Sequence, residues 1–129
     1  MIKSHPYIID QYHYEYLTWI RILEFIRQEN AILKTRLSQV LDHNTGQEFL
    51  NTAEQFQNHF VIKDDCIDEL KKDIRQLERS FETFSMENKT MIDPRIKTVH
   101  SKLRNEMEMF EMNFMQLKNK FNKYLASLV

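Results

Sequence analysis

Apolar residues recur at alternating steps of three and four through almost the whole chain, and this pattern limits what it can fold into. The first run is Tyr12, Tyr16, Trp19, Leu23, Ile26, Asn30, Leu33, Leu37 and Val40, with Asn30 as its one strongly polar member. The second is Phe49, Ala53, Phe56, Phe60, Lys63, Ile67, Leu70, Ile74, Leu77, Phe81 and Phe84, interrupted only by Lys63. The third is Ile96, His100, Leu103, Met107, Phe110, Phe114, Leu117, Phe121, Tyr124 and Leu128. Steps of three and four place every member of a run on one stripe of an α-helix, whereas a half-buried strand would need alternation at every second residue. Ile20, Ile22, Phe25, Ile32 and Leu41 widen the first stripe, so that helix calls for more than one neighbour.

The joints between runs agree with this reading. One Gly and two Pro in 129 residues cannot furnish the tight turns of a sandwich, barrel or doubly wound sheet. Residues 42–46 form a first short joint, with Thr45 and Glu48 at capping-box spacing ahead of the second helix. Residues 85–92 are largely polar and form the second joint. Asp93-Pro94 then opens the third helix: the carboxylate can accept from free amides, and Pro loses nothing in a first turn whose N–H has no partner. Pro6 is placed in the lead-in to the first helix. The expectation is an all-α, antiparallel up-down-up three-helix bundle with long coiled-coil-like helices over about residues 8–42, 46–86 and 94–128. Residues 1–129 form one domain in this reading. Helices of that length extend roughly 45–60 Å and need a long neighbour throughout.

Charge narrows the function classes. Lys and Arg number 18 against 19 Asp and Glu, so bulk charge points to neither nucleic acid nor an acidic ligand. The balance conceals an asymmetry. Residues 1–42 carry five acids and five bases, residues 45–86 nine acids and five bases, and residues 94–129 three acids and seven bases. The opposite surpluses favour setting the second helix beside the third, weakly, because exposed pairs are screened. Lys118, Lys120 and Lys123 gather near the end, but no recognition helix accompanies them, so no nucleic-acid partner is expected. The apolar runs are too short to span a membrane and the helical stripes are committed to the bundle, so no membrane partner is expected either. The first twelve residues lack the apolar stretch of a signal peptide, and one Cys excludes an intrachain disulfide; both suit the cytoplasm.

Candidate chemistry is sparse. Asp64-Asp65-Cys66-Ile67-Asp68 spells the DDxxD pattern with which helical prenyltransferases grip magnesium and diphosphate, but the second acidic motif and large cavity of that chemistry are missing. Asp65 and Asp68, with Glu108 and Glu111, have the paired-acid spacing of small all-α nucleotide pyrophosphohydrolases, and a metal-dependent hydrolase of that kind is the alternative function. His13, His100 and Glu78 or Glu106 fall near one level of the bundle and form a second low-ranked metal set. None of the five His has diiron or hemerythrin spacing, and one Gly excludes a phosphate-cradling loop, so no cofactor is expected. Neither Ser80 nor Ser101 belongs to an ordered Ser, His and acid arrangement.

Asn30, Lys63 and His100 occupy core-type positions and are expected to fix register, with Asn30 opposite His59 and hydrogen-bonded to it. Phe25, Ile62, Met109, Met112 and Met115 fall off the central seam. They either flank a wide stripe or form a homodimer interface. The function that fits best is a non-catalytic protein–protein interaction or scaffold module, acting on an unidentified protein partner.

Overall fold

The computed structural model describes residues 6–44, 46–86 and 93–128, with side chains from 10 onward and, in the second helix, up to 83. Three α-helices account for them: α1 (Pro6–Leu41), α2 (Gln47–Met86) and α3 (Pro94–Ser127), with no strand among the described residues. At 36, 40 and 34 residues they are about 50–60 Å long. Each helix touches both others.

Directions follow from the pairing. Glu24, Arg27 and Lys34 of α1 meet Lys71, Asp68 and Asp64 of α2 in reverse order, so those two helices are antiparallel. Phe121 packs on Phe56 and Phe60, and Lys63 lies over Phe110, so α3 reverses again. Glu15 and Glu29 of α1 reach Arg104 and Lys118 of α3 in the same order, as two parallel helices require. The result is the up-down-up bundle.

The seven-residue repeat becomes the core almost position for position. Tyr16, Trp19, Leu23, Ile26, Leu33 and Leu37 of α1 are buried, with Phe56, Phe60, Ile67, Leu70, Ile74, Leu77 and Phe81 of α2. Leu103, Met107, Phe110, Phe114, Leu117 and Phe121 complete it from α3. Each such side chain contributes about 1.5–3 kcal/mol relative to leaving it in water, and this burial supplies most of what keeps the three helices formed and together. Phe121 meets Phe60 edge-on at 5.1 Å and 89°, the arrangement that ring quadrupoles favour.

The ends differ in detail from expectation. Pro6 is the first residue of α1 rather than part of a lead-in, for the same reason that Pro94 can begin α3. Asp93 caps α3: its carboxylate accepts from the Arg95 N–H at 2.9 Å. α2 starts at Gln47, with the Leu50 N–H donating to the Gly46 carbonyl at 2.9 Å. The capping role expected of Thr45 and the core role expected of Phe84 lie outside the described residues. Leu128 falls beyond the last turn of α3 and is exposed. Phe25 and Ile32 are also exposed; they widen the apolar surface of α1 without entering the core.

Candidate functional site

The polar residues in the core have specific partners. Asn30 is fully buried, and its amide donates to the Phe60 carbonyl at 2.8 Å and to Asp64 Oδ1 at 2.9 Å. Two acceptors on the nitrogen fix the orientation of the amide and leave Asn30 Oδ1 with no protein partner. The expected bond to His59 does not form: His59 is exposed on another face of α2, while the neighbouring backbone and the Asp64 carboxylate point at Asn30. Lys34 also pairs with Asp64. Burial alone would raise the Asp64 carboxyl, but hydrogen bonds from Lys34 and Asn30, with the charges of Lys34 and Arg27, hold it below the ordinary value.

His100 lies at the other end of the bundle, 1 % exposed. Tyr12 stacks on its ring at 4.0 Å, and Trp19 lies 5.0 Å away. Its Nδ1 is 3.3 Å from the Tyr16 hydroxyl, and its Nε2 is 3.2 Å from Arg104 Nη2 and 3.4 Å from Glu15. Arg104 holds Glu15 through two bonds of 2.9 and 3.0 Å, so guanidinium, carboxylate and ring meet in one cluster around Nε2. Nε2 thus faces a donor in Arg104 and an acceptor in Glu15, so either neutral tautomer of the ring finds a partner there. Burial pushes the imidazole below its ordinary value, and Arg104 reinforces this against the opposing pull of Glu15. The same burial drives Tyr16 upward, with Tyr12, Glu15 and Glu78 adding to it. Lys63 is half-buried, and its amine reaches 5.8 Å from the Phe110 ring centre.

Sequence reasoning found His100 and Asn30 but missed what surrounds them. Glu15, Lys34, Asp64 and Arg104 stand at flank positions beside the stripe, where a charge ordinarily faces water. The available signal was cross-helix: Glu15 and Arg104 become level only once α1 and α3 run parallel.

The charge asymmetry also works differently from the expected pairing of α2 with α3. Every interhelical ion pair among the described residues involves α1. Arg27 and Lys34 face the acids of α2, whereas Glu15 and Glu29 face the bases of α3. The electrically neutral helix thus carries both signs to its neighbours, with Glu24 also reaching Lys71 of α2, and no ion pair joins α2 to α3 among the described residues.

The acidic candidates do not share surroundings. Asp68 pairs with Arg27 on the α1 side of α2, whereas Asp65 lines the groove between α2 and α3. Glu108 is exposed, and Glu111 lines the groove between α1 and α3, where burial and the Glu108 charge raise its carboxyl. His13 is exposed while His100 is buried, Glu106 lines the α2–α3 groove, and Glu78 is half-buried near Tyr16. Among the described residues no group of three or more His, Cys, Asp or Glu side chains is arranged to hold a metal ion. No helix of the described residues is long and apolar enough to cross a membrane.

Apolar side chains line grooves on more than one face among the described residues, and two of these grooves hold off-seam residues. One, of about 300 Å³ between α1 and α3, is lined by Ile22, Phe25, Ile26, Phe114 and Met115 and rimmed by Arg21, Glu29, Glu111 and Lys118. The other, about 650 Å³ between α2 and α3, has Ile62, Cys66, Leu70, Met109 and Phe110 in its walls. Of the off-seam residues grouped together in the sequence, Phe25 and Met115 thus fall in one groove and Ile62 and Met109 in the other, while Met112 is exposed and lines neither. No protein-family model, curated protein or solved structure matches this chain.

Proposed function

We propose that this chain is a non-catalytic helical interaction module that binds another protein through the groove between α1 and α3. The observation that carries the reading is Phe25, 61 % exposed, standing beside Met115, 53 % exposed, across one concave surface. A bundle that already buries Phe114 and Ile26 beneath them gains nothing for its own core from these two outer side chains. An aromatic anchor beside an adaptable thioether is the composition that favours helix-in-groove recognition. The rim of Arg21, Glu29, Glu111 and Lys118 carries both signs, so the groove would select its partner by shape and apolar contact more than by net charge. Residence in the cytoplasm, where the lone Cys66 stays reduced, is part of the same reading.

Photo-crosslinking tests it. Benzoylphenylalanine at position 25, in lysate of the cells that make the protein, is expected to give one discrete adduct that Met115→Asp abolishes. An equal adduct from a probe at exposed Gln39, or none from position 25, would overturn the proposal.

A further inference from the structure

The groove between α2 and α3 carries an inference of its own, because its charges are arranged differently. The seven-residue frame places Glu106 and Asn113 on one flank of α3 and Lys102 and Met109 beside them, and all four line this groove. Lys120 lies one repeat beyond Asn113 and Lys123 two repeats beyond Met109, so both stand on the same face; both are exposed. On α2 the face runs through Ile62, Cys66, Glu69 and Asp73, with Asp65 at its edge.

The charge along this face is segregated. Asp65, Glu69 and Asp73 lie towards the C-terminal end of α2 from Ile62. Phe121 packs on Phe56 and Phe60, which sets Lys120 and Lys123 on the opposite side of Ile62. Asp65, Glu69 and Asp73 lie about 5–16 Å along the axis from Ile62, and Lys120 and Lys123 about 16–21 Å from Met109 on the other side, one cluster acidic and one basic. Neither cluster makes an ion pair among the described residues, whereas Lys102 at the acidic end is drawn to Glu106 at 3.8 Å. Glu48 is the one acid on the α2 face near the basic end. Ile62 and Met109, each just over half exposed, supply an apolar centre.

An apolar centre between an acidic end and a basic end is self-complementary under a two-fold rotation. We infer that the α2–α3 face is an isologous interface for a second copy of this chain, its axis passing through the Ile62 and Met109 patch. In that arrangement Glu69 and Asp73 of each protomer face Lys120 and Lys123 of the other, and the carboxylates left unpaired by the single bundle gain partners twice over. A basic helix from another protein would answer only the acidic end and would leave Lys120 and Lys123 as they are. This inference is independent of the α1–α3 groove, which stays open in the dimer.

Light scattering with a charge swap tests it. The full chain at tens of micromolar and low salt is expected at twice its 15.8 kDa mass, with the dimer weakening at least tenfold in high salt. The double variant Lys120→Glu, Lys123→Glu and the double variant Glu69→Lys, Asp73→Lys should each be monomeric, and an equimolar mixture should recover a dimer containing one of each. Circular dichroism of each variant separates loss of pairing from loss of fold. A wild-type monomer, a dimer indifferent to both reversals, or well-folded variants that fail to pair when mixed would each overturn the inference. Phe25→Ser leaves the dimer intact if the two faces act separately; loss of the dimer in that variant would place the interface on the α1–α3 groove instead.

Discussion

The α1 seams and the α2–α3 seam are built by different physics. α1 meets its neighbours through charge and hydrogen bonds as well as rings: Asn30 and Lys34 on Asp64, Glu24 on Lys71, Glu15 on Arg104, and Glu29 on Lys118, with Tyr12 against Phe81 and His100. Between α2 and α3 no ion pair is made among the described residues; Phe56, Phe60, Phe121 and Tyr124 pack at centroid distances of 5.1–5.4 Å, and Lys63 lies over Phe110. Apolar packing tolerates a change of partner, since one apolar side chain can stand in for another. A buried amide that must meet one carbonyl and one carboxylate does not. The ring seam therefore supplies cohesion, while the polar seams supply register.

Removing a ring should have the largest effect. Phe121→Ala is expected to cost about 3–5 kcal/mol in urea unfolding, because Phe121 is fully buried and the helices can close only part of the cavity. The polar seam divides into two results of opposite sign. Asp64→Ala should lose about 1–2 kcal/mol, because Lys34 and the Asn30 amide lose a shared acceptor that water only partly replaces. Asn30→Leu should lose nothing and gain up to about 2 kcal/mol, since the change also removes the unpartnered buried Oδ1. A loss in Asn30→Leu comparable to that of Phe121→Ala would dissolve the distinction between cohesion and register.

Acid should weaken the polar seams, while protonation of Glu111, whose carboxyl is raised, works the other way. The His100 ring is held below its free value of 6.5, so as pH falls through 6.5 the unfolded chain takes up a proton that the folded one refuses. Stability should fall by up to about 1.4 kcal/mol per pH unit from there until the lower folded value is passed. Asp64, held below its free value of 3.8, contributes fully above that value, and its share is lost as pH falls through the folded one. Unfolding midpoints at pH 7.5 and 5.5 should diverge in the natural chain and draw together in His100→Gln. The smallest effect belongs to the first joint. A Cβ on Gly46 meets nothing within 4 Å, so Gly46→Ala should be neutral or stabilising by less than about 1 kcal/mol in the same unfolding assay.

The elements were legible because their signals are local. Asp93-Pro94 marks a helix start wherever it stands, and the repeat of Phe56, Phe60, Ile67 and Ile74 names its own buried stripe. Partner choice is not local. Asn30 announced itself as polar in an apolar stripe, but whether it met His59 or Asp64 depended on the relative rotation of α1 and α2. Likewise Phe25, Ile62, Met109 and Met115 were recognisable as off-seam, while their division into two grooves needed the positions of the third helix in each case.

By itself the order of residues determined three long helices, their core stripes and the sites of their joints, since each depends on spacing within a few turns of one chain segment. Only the tertiary structure decided that α1 carries the described interhelical ion pairs, that Arg104 and Glu15 meet at Nε2 of the His100 ring, and that unpaired charge remains on the α2–α3 face. Those outcomes depend on which flanks become level when helices about 50 Å long lie side by side, a geometry to which every buried side chain contributes and which no single segment encodes.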